Sequence, residues 1–240
     1  MSYELHYWPS IQGRGEFIRL ALEECGAEYV DVARLPSDSG GGERNLVVWM
    51  GYAAPLAFAP PILKTDDLTI AQTANILMYI GAHHDLAPGD EAGRLLVNQL
   101  QLTLCDVVDE AHDTHHPISA SQYYENQKAE AARRSKAFRD ERIPKYLGYF
   151  ERILVANGSD GGGLAGGPLT YADLSLFQVV RGLQYAFPLA MGRLAAKVPA
   201  VLALAGQVAR RPRMAAYLSS PRRIGFNEQG IFRHYEELDG

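Results

Sequence analysis

The stretch Tyr3-Glu4-Leu5-His6-Tyr7 sets the frame for the rest of the chain. Tyr3, Leu5 and Tyr7 alternate with Glu4 and His6, the period-two pattern of a half-buried strand. From Gly13 to Gly26 the apolar residues Phe17, Ile18, Leu20, Ala21, Leu22 and Cys25 recur at helical spacing, and Gly26 stands where a left-handed C-cap residue belongs. Tyr29 to Ala33 predicts a second short strand, so strand, helix and strand make a right-handed crossover unit.

Working outward, Leu35 to Ala59 is irregular: Ser37 to Gly42 is a polar, glycine-rich loop, and Trp49 to Pro55 carries aromatic and proline punctuation. Ile62 to Lys64 and Leu68 to Ile70 flank the Thr65-Asp66-Asp67 turn as a hairpin. Ile76, Leu77, Tyr79 and Ile80 mark a helix that starts near Gln72. The order βαβ, irregular helix or loop, ββα is that of an α/β thioredoxin-like domain, assigned to residues 1–82. Residues 83–92, with Pro88 and Gly89, read as a linker, and residues 93–240 as an all-α helical-bundle domain with an extended tail.

Within that second half, amphipathic helices are predicted from Glu91 to about Thr114, from Tyr124 to Ala156 with a bend at Pro144, and over Tyr171–Tyr185 and Val198–Ala209. Asn157 to Gly167 is a glycine-rich loop, and the tail from Pro221 carries Phe226, Phe232 and Tyr235 without periodicity. Thr170 and Asp173 have the spacing of a capping box, flanked by Leu169 and Leu174 as a hydrophobic staple. That motif reports a helix start and carries no chemistry.

Composition narrows the function. The chain has 240 residues, 47% hydrophobic, enough for one large core or two small ones. A formal net charge of -5 supplies no basic field for nucleic acid or an anionic membrane. Cys25 and Cys105 lie in amphipathic stretches and read as free thiols. The first residues lack the basic-then-apolar pattern of a secretory signal, and no apolar run reaches bilayer length, so the expectation is a soluble, cytoplasmic protein.

Three segments together resemble the tyrosine-type soluble glutathione transferases, the group of the sigma, pi and mu classes. Leu5-His6-Tyr7-Trp8-Pro9 followed by Gly13-Arg14-Gly15-Glu16-Phe17-Ile18-Arg19 is similar to the family's first strand, catalytic tyrosine and first helix. Pro61-Ile62-Leu63 through Asp67-Leu68-Thr69-Ile70-Ala71-Gln72-Thr73 is similar to its cis-proline, hairpin and glutamyl-binding turn. Thr170 to Asp173 matches the helix start shared by its C-terminal domain.

The resemblance implies an enzyme that attaches glutathione, as co-substrate, to small apolar electrophiles in detoxification, and that works as a homodimer. Tyr7 is then the catalytic residue, donating a hydrogen bond that favours thiolate over thiol, whose free pKa is about 8.5. Ser10 is the rival, because other classes of the family use a serine in the following loop. Glutathione would be held by Arg14, Trp49, Pro60, Pro61, Gln72, Thr73 and, across the dimer, Asp106. Gln72 and Thr73 open a helix, whose free backbone amides favour a carboxylate. Trp8, His116 and Phe226 would line the electrophile pocket.

Two departures weaken the match. Pro60 has no amide to donate to the cysteinyl part of the ligand, and Arg44 is the only basic residue between Arg34 and Leu63 available to the glycine carboxylate. They leave two alternatives open: a non-catalytic binding or interaction protein with the same fold, or a glutathione-dependent isomerase or peroxidase. His112, His115 and His116 share a helix face, but no Cys or second cluster completes a metal site, and none is expected. Gly13-Arg14-Gly15 lacks the spacing of a dinucleotide fingerprint.

Overall fold

The opening segment forms a strand in which Tyr3, Leu5 and His6 are all buried. In a computed structural model that describes residues 2–158 and 162–240, β1 (Tyr3–His6) leads to α1 (Gly15–Cys25), which ends on Gly26 at φ 69°. The chain returns through β2 (Tyr29–Asp31), parallel to β1 with Tyr3 opposite Tyr29. Then come α2 (Glu43–Met50), the antiparallel hairpin β3 (Ile62–Lys64) and β4 (Thr69–Ala71), and α3 (Thr73–His83). The sheet order β2-β1-β3-β4 is the thioredoxin-like arrangement.

Strand alternation sends Tyr3, Leu5 and Tyr7 to one face, where α1 and α3 pack together, and His6 to the other, where α2 lies against it. Of the two readings of the irregular segment, helix or loop, the structure has a helix over Glu43–Met50. Its N-cap is Gly42, without a side-chain cap, and only Leu46 of it is buried, so periodicity gave no signal.

The second half is helical throughout its ordered elements. Asp90 caps α4 (Glu91–Asp113), its carboxylate accepting the Gly93 N–H at 2.8 Å. α5 (Lys128–Ala137) runs through a π turn at Phe138–Arg142 into α6 (Ile143–Asn157). The π turn thus precedes Pro144, whose missing N–H cannot continue the helical hydrogen-bond ladder back into that turn. α7 (Tyr171–Ala186) is the hub: it is buried along nearly its whole length and packs against α1, α3 and α4. α8 (Pro188–Leu194), α9 (Pro199–Arg210) and α10 (Pro212–Leu218) each begin with proline, and α9 packs on α7 from the far side. A last turn, α11 (Glu236–Asp239), closes the tail.

Met1 and residues 159–161 of the glycine-rich loop lie outside the described residues. No single helix among the described residues is long and apolar enough to cross a membrane.

Candidate active site

Tyr7 is held by glycine on both sides. A Cβ on Gly13 would lie 2.0 Å from its hydroxyl oxygen, and one on Gly15 would lie 2.5 Å from its ring. Gly13 also needs φ 47°, a left-handed conformation that side chains disfavour. The Tyr7 hydroxyl accepts the backbone N–H of Arg14 at 2.8 Å, and among the described residues nothing accepts its proton. Burial pushes the phenol pKa up, and the Arg14 N–H and the charges of Arg14 and Arg19 oppose that shift less strongly. Tyr7 is therefore a protonated phenol with a proton left to donate.

Arg14 carries the site towards the helices. Its guanidinium pairs with Asp109 of α4, while Asp106, one turn earlier, is exposed and does not line the cavity between α3 and α4. That cavity, about 410 Å³, is lined by Arg14, Gln72, Thr73, Gln101, Cys105 and Asp109 among others. Gln72 has φ 73°, a conformation non-glycine residues rarely adopt, and immediately precedes α3. Thr73 is buried with its hydroxyl oxygen unpaired, and Gln101 is buried with its amide oxygen unpaired. The Cys105 thiol contacts the Gln101 amide nitrogen at 3.7 Å, and burial pushes its pKa up. An anion placed there would meet the first N–H groups of α3 and the Arg14 guanidinium.

The other sequence candidates scatter around this pair of features. Trp49 stacks on His6 at 3.8 Å, on the sheet face opposite Tyr7, and lines a separate cavity of about 460 Å³. The Pro60–Pro61 bond is cis, with Pro61 buried beside β3. Trp8 is half-buried against the core. Ser10 is exposed, its hydroxyl donating to Glu43 at 3.5 Å and its carbonyl accepting the Asn227 amide at 2.9 Å. Phe226 stacks on Tyr185 with ring centroids 5.0 Å apart.

At the end of α4, the rings of His112, His115 and His116 lie 4.8–5.1 Å from one another. Burial first, then His116, Arg14 and Arg233, pulls the His112 pKa down to about 4. Burial and Arg233 pull that of His115 to about 2 and lower that of His116. All three are neutral imidazoles at physiological pH. Among the described residues no group of three His, Cys, Asp or Glu side chains is placed to hold a metal.

Sequence reasoning did not single out Asp109, Gln101 or Arg233, and it weighed His112 only as a metal ligand. Asp109 follows Asp106 by one helical turn, so spacing alone could have offered it as the partner of Arg14. Arg233 comes from an aperiodic tail, where no sequence signal exists.

Comparison with known proteins agrees with this geometry. The family model described as "Glutathione S-transferase, C-terminal domain" matches residues 112–221. The chain is 26% identical to "Glutathione S-transferase P 1" of Xenopus laevis, over 92% of this chain and 93% of that protein. It is 28% identical to "Glutathione S-transferase alpha-3" of Rattus norvegicus, over 89% and 87% of the two chains. In fold it is similar to the pi-class glutathione S-transferase of Onchocerca volvulus, with a TM-score of 0.72 at 19% identity, covering 95% of this chain and 99% of that one. The shared fold, the match in the helical half and the nearly full-length likeness to named relatives together make this chain similar to the glutathione S-transferases over both of its halves.

Proposed function

We propose that the protein conjugates glutathione to small electrophiles, with Tyr7 donating its hydroxyl proton to the glutathione sulfur and so favouring the thiolate. The observation that carries this reading is the Tyr7 hydroxyl itself, which accepts the Arg14 N–H at 2.8 Å and keeps its own proton uncommitted. A phenol whose pKa is pushed up by burial acts as a donor, not as a phenolate base. The cavity beside it supports binding of the glutamyl end: the α3 N-terminus, the unpaired Thr73 hydroxyl and Arg14 suit its carboxylate, and Asp109 or the unpaired Gln101 oxygen suits its amine. Residues 1–82 would then bind glutathione, with the helices and tail after the 83–92 linker supplying the acceptor side.

A homodimer fits the outer face of this cavity. Leu95 and Leu102 of α4 and Met78 of α3 are exposed there, and the exposed Asp106 of one subunit would be free to reach its partner's site. Trp49 would have to leave His6 to cover a ligand's glycine end, so we assign it to packing.

The test is Tyr7→Phe. Losing one hydrogen bond to a charged sulfur, worth about 1.5–3 kcal/mol, lowers kcat/KM about ten- to a hundredfold. Ser10→Ala leaves it within about twofold, because the Ser10 hydroxyl faces Glu43. The reverse ranking would transfer the role to Ser10.

A further inference from the structure

The tail runs against the Ser10–Gly13 loop beside Tyr7 and carries a cation that no carboxylate neutralises among the described residues. Asn227 ties it to the Ser10 carbonyl, and the His115 ring, donating from Nε2 to the Ile231 carbonyl at 2.8 Å, ties it to the end of α4. Between those anchors and the final turn, Arg233 donates Nε–H to the Gly230 carbonyl at 2.8 Å and one terminal N–H to the Gln229 carbonyl at 3.2 Å. Among the described residues no carboxylate pairs with it. The nearby acids are engaged elsewhere, Asp109 by Arg14 and Asp113 by Arg134 at 3.6 Å.

One imidazole of this cluster is equally uncommitted: no hydrogen bond holds the His112 ring among the described residues. His115 keeps a buried, unpaired Nδ1. His116 is partly engaged, with Nδ1 3.3 Å from the Gln127 amide nitrogen and a backbone hydrogen bond at Gln122. His112 lies one turn beyond Asp109, the residue that grips Arg14, and the Arg14 N–H touches Tyr7. A guanidinium held at one edge by backbone carbonyls, beside neutral N–H donors, suits a planar anion that accepts two bonds.

We propose that Arg233, with His112 and His116, makes this protein select electrophiles that carry a carboxylate, and that Arg233 is the specificity-determining residue. The inference rests on the transferase reading above and replaces a purely apolar acceptor with an acidic one. Glutathione thiolate attacks the acceptor while the carboxylate lies against Arg233.

Two acceptors test it: 4-chloro-3,5-dinitrobenzoate and its methyl ester. In both, the thiolate forms a C–S bond at the chlorinated carbon, the C–Cl bond breaks with its electron pair leaving as chloride, and the thiol proton goes to solvent. Each kcat/KM is divided by the uncatalysed rate with glutathione, which cancels the electronic difference between acid and ester. The wild type is expected to prefer the carboxylate about tenfold or more. Arg233→Gln brings the ratio close to one, chiefly through the carboxylate KM, and Arg233→Lys retains part of it. Ester turnover with no preference for the acid overturns the proposal and leaves the transferase reading standing, as does a ratio that Arg233→Gln leaves unchanged. If neither acceptor is turned over, the transferase reading fails, and calorimetric affinities of the two aryl-glutathione conjugates decide: equal affinities overturn the proposal.

Discussion

Gly13 and Gly15 show how much of the site is set by what is missing from a side chain. Both lie against Tyr7, six and eight residues further along the chain, and its side chain occupies the space where their Cβ atoms would be. Gly13→Ala is expected to displace the hydroxyl or the Arg14 N–H that orients it, lowering kcat/KM by at least about tenfold. Gly192→Ala, in α8 with nothing within 4 Å of the new methyl, is the control and keeps wild-type kinetics. An unchanged Gly13→Ala enzyme would mean that the geometry of Tyr7 does not matter. This role was not legible in Gly13-Arg14-Gly15, which the sequence reading used only to exclude a phosphate loop. Close approach of a ring to a backbone depends on tertiary packing, and glycine has no periodicity to betray it. Alternation placed Tyr7 at the end of the strand, and its proposed role came from the family resemblance.

Among the elements, those with long apolar periodicity were readable and those without were not. The α4 and α7 stretches were placed within a residue of their ends, since each buries one row of apolar side chains or more. The short α8 and α10 went unread, and α2 was left open between helix and loop. The capping box at the start of α7 was read from spacing, yet it does more than cap. Asp173 is fully buried and accepts the Thr170 N–H at 2.7 Å, the Thr170 hydroxyl at 2.8 Å and the Leu164 N–H at 2.7 Å, so it also ties down the end of the preceding loop. Gly163 leaves it room, because a Cβ there would sit 2.7 Å from its oxygens. Asp173→Ala strands two buried backbone N–H groups and is expected to cost about 3 kcal/mol, read as a lower midpoint in urea unfolding with an unchanged slope. A loss below about 1 kcal/mol would show that water or the loop replaces those bonds.

For the molecule as a whole, a buried polar network joins the first loop, α1, α7, α10 and the tail. Gln178 donates to Gln12 at 2.7 Å, Arg223 donates to Gln178 at 3.0 Å, and Tyr217 donates to Glu16 at 2.7 Å. Glu16 also meets Arg223 and Arg19, and Arg19 reaches Asp31 of β2 at 2.7 Å. The tail then ends with Asp239 accepting the Leu189 and Ala190 N–H groups at the start of α8. Such a network adds little net stability over apolar packing but fixes one arrangement of its members, here the loop that carries Arg14 against Tyr7. None of it could be read from the tail, whose anchors are side-chain bonds to residues up to 217 positions away. What local patterns did offer was the placement of Tyr7, Gln72 and Thr73 at element boundaries, and the glutathione role proposed for them came from the family resemblance.

The central claim is that this whole scaffold presents one free phenolic proton to a sulfur. The most direct test is the ultraviolet thiolate absorbance of glutathione, titrated across pH with the wild-type protein and with Tyr7→Phe. The account predicts that the bound thiol pKa in wild type lies about one to two units below its free value, and that Tyr7→Phe binds glutathione with the pKa close to that value. An unshifted pKa in wild type, or an equal shift in Tyr7→Phe, would contradict it.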